Sequence, residues 1–287
     1  MKNSIKMVIV AITLIYATGC TVPKYYLSIQ TTLDETEQFN NVGSLSTSNA
    51  DFDRSIAILP AQYPTTSGSV MNAGERKFFN ESLDSCLNLY YDEKYTIHSS
   101  STTMYAINDN GLTEDYSTLI NDYRNTSILS RNKIEKMSSV LKSRYMLYTE
   151  FIDKDDKTQV TLYGAGIYGT NANMNIGVKD IIMSYQLWDS KYSKPIFETI
   201  VSTGTLANNI TSGEMPYNTI VAKNISAFAQ EIKNKDGQSV CPDCPTSRQE
   251  YNDKIQSAST GNYLLGVTIG VLAAVVIILL LSPSPKP

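Results

Sequence analysis

Hydrophobic and polar positions divide this chain into sharply different segments. The longest apolar run, 263–281 (YLLGVTIGVLAAVVIILLL), holds no charge and no proline. A helix over it covers about 28 Å, close to the hydrocarbon core of a bilayer. Soluble helices keep a polar face, and this run offers only Thr268, so it predicts a transmembrane helix. A second apolar stretch, 7–16, is too short to span comfortably and follows Lys2 and Lys6. That order predicts an export signal over 1–20.

Between the two ends the pattern is that of one folded domain. Residues 21–50 are polar with little periodicity and read as a flexible tether, with a short helix near 34–39. Ordered structure is expected over 51–235. Ser55-Ile56-Ala57-Ile58-Leu59-Pro60 is a short apolar run stopped by proline, the mark of a buried strand. Helical spacing over 75–91 gathers Phe78, Phe79, Leu83, Cys86, Leu87 and Tyr90 on or near one face. A strand is expected at 95–98 and a polar loop over 99–111. A helix over 126–142 carries the stripe Ile134, Met137, Val140 and Leu141. Strand composition follows at 144–153, then a turn at 153–157 with 159–163 as its hairpin partner. Residues 179–189 alternate as a strand, 195–204 run back beside them, and 216–233 form a last helix with Ile220, Val221, Ile225, Phe228 and Ile232 along one side. The order predicts an α/β (α+β) fold: a two-layer domain with helices on a mixed sheet, plus the C-terminal transmembrane helix. A stem, 236–262, joins domain and span, and 282–287 is a short tail.

Charge changes the picture by exclusion. The 287 residues carry a formal net charge of −4, which offers no basic field to nucleic acid. His98 is the single histidine, so no His-rich metal centre or His-dependent triad assembles except around it. Neither a G-x-S-x-G elbow nor a phosphate-binding G-x-x-x-x-G-K-[ST] loop occurs. Asp153, Asp155 and Asp156 lack the glycine and terminal glutamate of a calcium loop. No catalytic residue, cofactor or metal ligand is assigned, and the expectation is a non-enzyme.

Cysteines supply the local chemistry. Cys241-Pro242-Asp243-Cys244 has three readings: a small disulfide stiffening the stem, a redox-active pair, or half of a zinc site with Cys86 and His98 as remote partners. An oxidising location favours the disulfide, and Pro245 with the polar run beyond it is not the strand-to-helix setting of a redox pair. Cys86, on an apolar helix face, reads as a buried free thiol. In the span, Gly266 and Gly270 form a G-x-x-x-G step, a candidate helix-pairing face.

Two resemblances add to these readings. Ala17-Thr18-Gly19-Cys20 resembles a bacterial lipobox, with Ala17 where leucine is usual. The resemblance implies acylation of Cys20 by fatty acid such as palmitate, and Thr21 after it lacks the aspartate that marks inner-membrane retention. The run 56–60, the helices 75–91 and 128–142, and Tyr185-Gln186-Leu187-Trp188-Asp189-Ser190-Lys191 before Pro195-Ile196-Phe197-Glu198 are similar to a group of bacterial envelope lipoprotein domains. That group holds the curli-secretion lipoprotein, the N-terminal domain of the Tol-system propeller protein and the lipoprotein activators of penicillin-binding proteins. It implies a periplasmic domain in the bacterial cell envelope that docks on partner proteins or oligomerises. The segment 160–178, with Gly164, Gly166, Gly169 and Gly177, is similar to the pore hairpin of the curli channel, while its turn composition alone reads as an exposed loop. Three functions follow as expectations. The first is a membrane-anchored adaptor or assembly factor held by lipid and helix. The others are a secretion-channel subunit working as a homo-oligomer, and a spanin-like envelope-spanning device. The envelope partner is unnamed by the sequence, and no nucleic acid is expected.

Overall fold

The computed structural model describes residues 25–40, 50–63, 72–91, 94–165, 171–206 and 217–233, with single positions at 250 and 253. Its elements in chain order are β1 (Tyr26–Asp34), α1 (Glu37–Asn40), α2 (Ala50–Asp53), β2 (Ser55–Ile58), α3 (Ala73–Tyr91), β3 (Thr96–His98), α4 (Ser100–Asp109), α5 (Thr113–Thr126), α6 (Arg131–Leu141), β4 (Tyr145–Ala165), β5 (Asn171–Asp189), β6 (Lys194–Leu206) and α7 (Tyr217–Lys233).

The strands form one six-stranded mixed sheet in the order β1-β6-β5-β4-β2-β3. β2 runs parallel to both β3 and β4, and the β4–β5, β5–β6 and β6–β1 pairs are antiparallel. Because β3 and β4 flank β2 on opposite sides, the chain leaves β2 in one direction and returns past it in the other. Crossovers of one hand then place their helices on opposite faces of the sheet. α3, with α7, packs on the face made by Ile56, Ile58, Tyr145, Leu147, Tyr185 and Val201. α4, α5 and α6 pack on the other, against Ala57, Leu59, Met146, Tyr148 and Trp188. The domain therefore has three layers where two were expected. The apolar run of β2 has the reason in it: all four residues are buried, as strands covered on both faces require.

Several expectations change. The loop expected at 99–111 is mostly α4, started by Ser99, whose Oγ accepts from the Thr102 backbone N–H at 3.2 Å. A run of Ser and Thr read as loop becomes a helix because one serine caps it and Thr103 and Ile107 find a core to enter. The helix expected over 126–142 is preceded by another, α5, and itself spans Arg131–Leu141, ended by Lys142 in the left-handed region at φ 52°. The segment expected to be tether contributes the edge strand β1.

The largest change is at 153–157. The chain does not turn there. β4 continues to Ala165, with register shifts between Phe151 and Asp153 and between Asp155 and Thr158, so the charged run is a pair of bulges. It holds no glycine or proline to set a tight reversal, and 159–163 is the continuation of the same strand. Its partner is β5, from Ala165↔Asn171 back to Tyr145↔Asp189. Among the described residues β6 accompanies β5 as far as Val178↔Leu206, and beyond that pair the outer part of the β4–β5 hairpin is described as a two-stranded ribbon. Strand structure thus extends through most of the glycine-rich stretch that reads as an exposed loop.

α7 is held to the sheet by polar as well as apolar contacts. Asn224, fully buried, donates from Nδ2 to the Val201 carbonyl at 2.8 Å and accepts the Tyr185 hydroxyl at 2.7 Å. Tyr185 also stacks on Phe228, ring centroids 4.1 Å apart.

Burial holds the tyrosines Tyr91, Tyr95, Tyr145, Tyr148 and Tyr185 above the ordinary phenol value of 10.0. A phenol is charged when deprotonated, so the unfolded chain loses these protons first as pH rises. The stability they contribute is complete below about pH 10 and is lost above it. In an alkaline titration, tyrosinate absorbance should therefore rise together with loss of near-ultraviolet circular dichroism; smooth ionisation with the fold intact would contradict the packing described.

Candidate functional site

The carboxyl end of β1, the amino end of β4 and the turn between β5 and β6 meet at one end of the sheet. Around them lies a cavity of about 650 Å³ lined by Asp34, Glu35, Glu37, Phe39, Tyr145, Asp189, Tyr192, Lys194 and Ile196. This is within the size range of ligand pockets.

Its floor is set by Arg144. The guanidinium is buried and donates from Nη2 to Asp189 Oδ2 at 2.7 Å and from Nε to both Asp189 oxygens at 3.1 and 3.2 Å. Nη1 reaches Asp53 Oδ1 at 3.2 Å. The Arg144 carbonyl accepts the Ser190 N–H at 2.9 Å, and Asp189 Oδ1 accepts the Lys191 N–H at 2.9 Å, which fixes the β5–β6 turn. Burial works against the charged guanidinium, but hydrogen bonds to Asp189 and the charges of Asp189 and Asp53 outweigh it, and the Arg144 pKa is raised. The same guanidinium lies over the rings of Tyr145 and Tyr192, at 4.9 and 5.8 Å.

The wall is aromatic. Phe39 stacks on Tyr95 at 4.5 Å and meets Tyr145 edge-on at 5.1 Å. The Tyr95 hydroxyl donates to the Phe39 carbonyl at 2.5 Å. A helix of four residues has little stability of its own; the Phe39 ring and the bond to its carbonyl tie α1 to the sheet.

The rim is acidic. Asp34 Oδ1 accepts the Thr36 N–H at 3.1 Å and its hydroxyl at 2.5 Å, closing the turn after β1. Glu35 pairs with Lys194. Glu37 stands exposed at the start of α1. Four carboxylates against one lysine give the lining a formal excess of negative charge. Among the described residues no group of three or more His, Cys, Asp or Glu is placed to hold a metal ion. The Tyr145 hydroxyl is buried and has no hydrogen-bond partner among the described residues.

The residues singled out by sequence lie elsewhere. Cys20, Cys241, Cys244, Gly266 and Gly270, with the export signal, the stem and the span 263–281, fall outside the described residues. Among the described residues no helix is long and apolar enough to cross a membrane. Cys86 sits half-buried on α3 against the core, and burial pushes its thiol up to about 11, which keeps it protonated. His98 is half-buried on edge strand β3, its pKa lowered by burial. The pocket itself was missed. Its three parts appear in the sequence as a short helix near 34–39, a strand at 144–153 and a turn at 189–194, but the pairing that joins them, such as Asp34↔Phe197, links residues far apart in the chain.

No family model matches the chain. No curated protein sequence matches it. Solved structures similar to it include the PelC dodecamer from Paraburkholderia phytofirmans, 9% identical with a TM-score of 0.33 over 73% of this chain and 99% of that one. Lipoprotein GNA1162 from Neisseria meningitidis is 18% identical, TM-score 0.36, over 62% and 96%. The LpoB C-terminal domain from Escherichia coli is 16% identical, TM-score 0.30, over 56% and 91%. Likeness at this level assigns no role to the chain.

Replacing Arg144 with alanine leaves two buried carboxylates facing each other. The expected loss is about 3–5 kcal/mol of folding stability, read as a lower urea midpoint. Arg144→Lys keeps the charge without the fork and should recover part of it. An unchanged midpoint in Arg144→Ala would show that the clamp does not hold the sheet end together.

Proposed function

We propose that this protein is a non-enzymatic adaptor or assembly factor of the bacterial cell envelope, with its domain in the periplasm. Acylated Cys20 and the helix 263–281 anchor it, and it works by engaging a partner protein. The observation that carries the reading is the ribbon. Beyond Val178↔Leu206 no third strand is paired with β5 among the described residues, and β4 and β5 continue as a pair through Ala165↔Asn171. Its register sets Val160 opposite Ile176, Leu162 opposite Met174 and Gly164 opposite Ala172, while the alternate positions pair Thr161 with Asn175 and Tyr163 with Asn173. Along this register, pairs of mostly apolar residue types alternate with pairs of mostly polar ones. A two-stranded ribbon is marginally stable in water, and one with this alternation of residue types gains from a partner surface.

The same alternation supports a second reading, a subunit of an outer-membrane secretion channel related to the curli pore. Ribbons of this pattern from several copies, side by side, form a barrel with apolar positions outward. The spanin-like reading gains nothing from the ribbon.

A photo-crosslinking residue at position 162 or 174, activated in intact cells, separates the two. The adaptor reading expects a discrete adduct with a different protein, lost when 158–178 is replaced by a short Asn-Gly turn that leaves the urea midpoint of the domain unchanged. A ladder of self-adducts would favour the channel, and no adduct of either kind would sink both. Cys20→Ser should abolish acyl labelling; retained label would remove the lipid anchor from the proposal.

The C-x-x-C pair Cys241 and Cys244 belongs to this reading as a disulfide that stiffens the stem, and Gly266 with Gly270 as a face for pairing spans. Gly266→Leu with Gly270→Leu should leave insertion intact and weaken self-association in a membrane two-hybrid assay.

A further inference from the structure

The pocket at the sheet end has a chemistry of its own. Of its four carboxylates, Asp34 is occupied by Thr36, Glu35 by Lys194 and Asp189 by Arg144. Glu37 has no such partner among the described residues. The carboxylates are spread around the rim and do not converge as a metal site requires. A spread acidic rim above aromatic walls suits an organic cation, which uses ring faces as well as carboxylates.

The second observation is the Tyr145 hydroxyl. Its residue is fully buried and lines the pocket, yet the hydroxyl has no partner among the described residues. A buried donor without an acceptor is costly and rare in a finished fold. The electrostatic neighbours of this phenol are Arg144, Asp189, Asp53 and Tyr192, two of which line the same cavity. Tyr192 is 52% exposed and forms the outer wall. Tyr192 is also an electrostatic neighbour of the Tyr145 phenol, so the two residues share this part of the cavity.

We infer that this pocket binds a lysine or arginine side chain presented by a polypeptide segment of the partner protein. The cation meets Glu37 and the rim, its stem lies against Phe39 and Ile196, and a backbone carbonyl of the same segment accepts the Tyr145 hydroxyl. A simple amine supplies the charge without the acceptor, whereas a peptide supplies both. The inference rests on the partner-binding reading and names the chemistry of one contact in it.

The full chain in detergent, labelled in its tyrosine rings, tests this by nuclear magnetic resonance with N-acetyl-arginine-amide as probe. Tyr145→Phe and Tyr192→Phe assign the two signals. Both signals should shift saturably, and the citrulline analogue, of like shape without the charge, should bind about tenfold more weakly or worse. Glu37→Gln, on an exposed residue, should weaken the arginine probe several-fold. Tyr145→Phe should weaken it by about tenfold and melt no lower than the parent, because the lost hydroxyl had no partner among the described residues. Equal binding of the citrulline analogue, or no saturable shift up to about 50 mM, would overturn the inference. Free arginine binding tenfold more tightly than the blocked form would assign the pocket to a small amino acid and overturn it too. If the probe fails while the crosslinked heterologous adduct persists, only the pocket is misassigned; if the adduct is absent and the probe binds, the adaptor reading fails instead.

Discussion

The end of the sheet depends on the buried fork of Arg144. One guanidinium joins the start of β4, the end of β5 and the end of α2 through Asp189 and Asp53. Desolvating three charged groups is expensive, and such a cluster adds little net stability over a well-packed apolar one. What it supplies is geometry. A bidentate contact allows one relative position of two planar groups, so Arg144 and Asp189 set the terminal Tyr145↔Asp189 register of a hairpin that runs, through two bulges, to Ala165↔Asn171. A slip by one residue would turn every side chain in that hairpin to the other face, exchanging Leu147 and Tyr185 for Met146 and Gln186.

Around that fixed end, β2 decides the layering. Its neighbours on both sides are parallel strands reached by helical crossovers, and the helices fall on both faces. The residues announced this only in part. Ile56 and Ile58 read as core, and so did the stripes of α3, α6 and α7, because long apolar periodicity survives any tertiary context. Ala57 belongs to the second core, yet an alanine between isoleucines announces no second layer. α4 was hidden more completely. Its sequence SSTTMYAIND has ordinary loop composition, and what makes it a helix is the Ser99 cap and a sheet face behind it, neither visible in local propensity. At 153–157 the reverse occurred: a charged run with turn composition stayed extended because β5 pairs on both sides of it.

The candidate pocket was illegible for a different reason. Each of its parts was seen as a local element, but a pocket is a relation between elements, and this one is made by the β1–β6 pairing at the sheet edge. Nothing in Glu35 foretells Lys194, its ion-pair partner, across so long a stretch of chain. The clue available in sequence was compositional: an acidic turn, Asp34-Glu35-Thr36-Glu37, followed closely by an aromatic residue, Phe39. Without a strand before it, that pattern is indistinguishable from a solvated linker.

Pocket and ribbon stand at opposite ends of the same hairpin. Tyr145 and Asp189, at its closed base, line the pocket, while Ala165 and Asn171 lie at its far end. The intervening strands pass through the most covered part of the sheet, where Tyr148 stacks on Trp188 and Tyr185 on Phe228, and only then reach the two bulges. Bulges increase twist and bend a strand locally. The bulged segment is therefore where the covered part of the sheet hands over to the ribbon. A partner that met both the pocket and the ribbon would span the length of β4. A partner meeting only the ribbon would leave the Arg144 end untouched, and the two surfaces would act independently. The position of the bulges favours independence, since bending between two contacts disperses whatever strain one of them applies before it reaches the other.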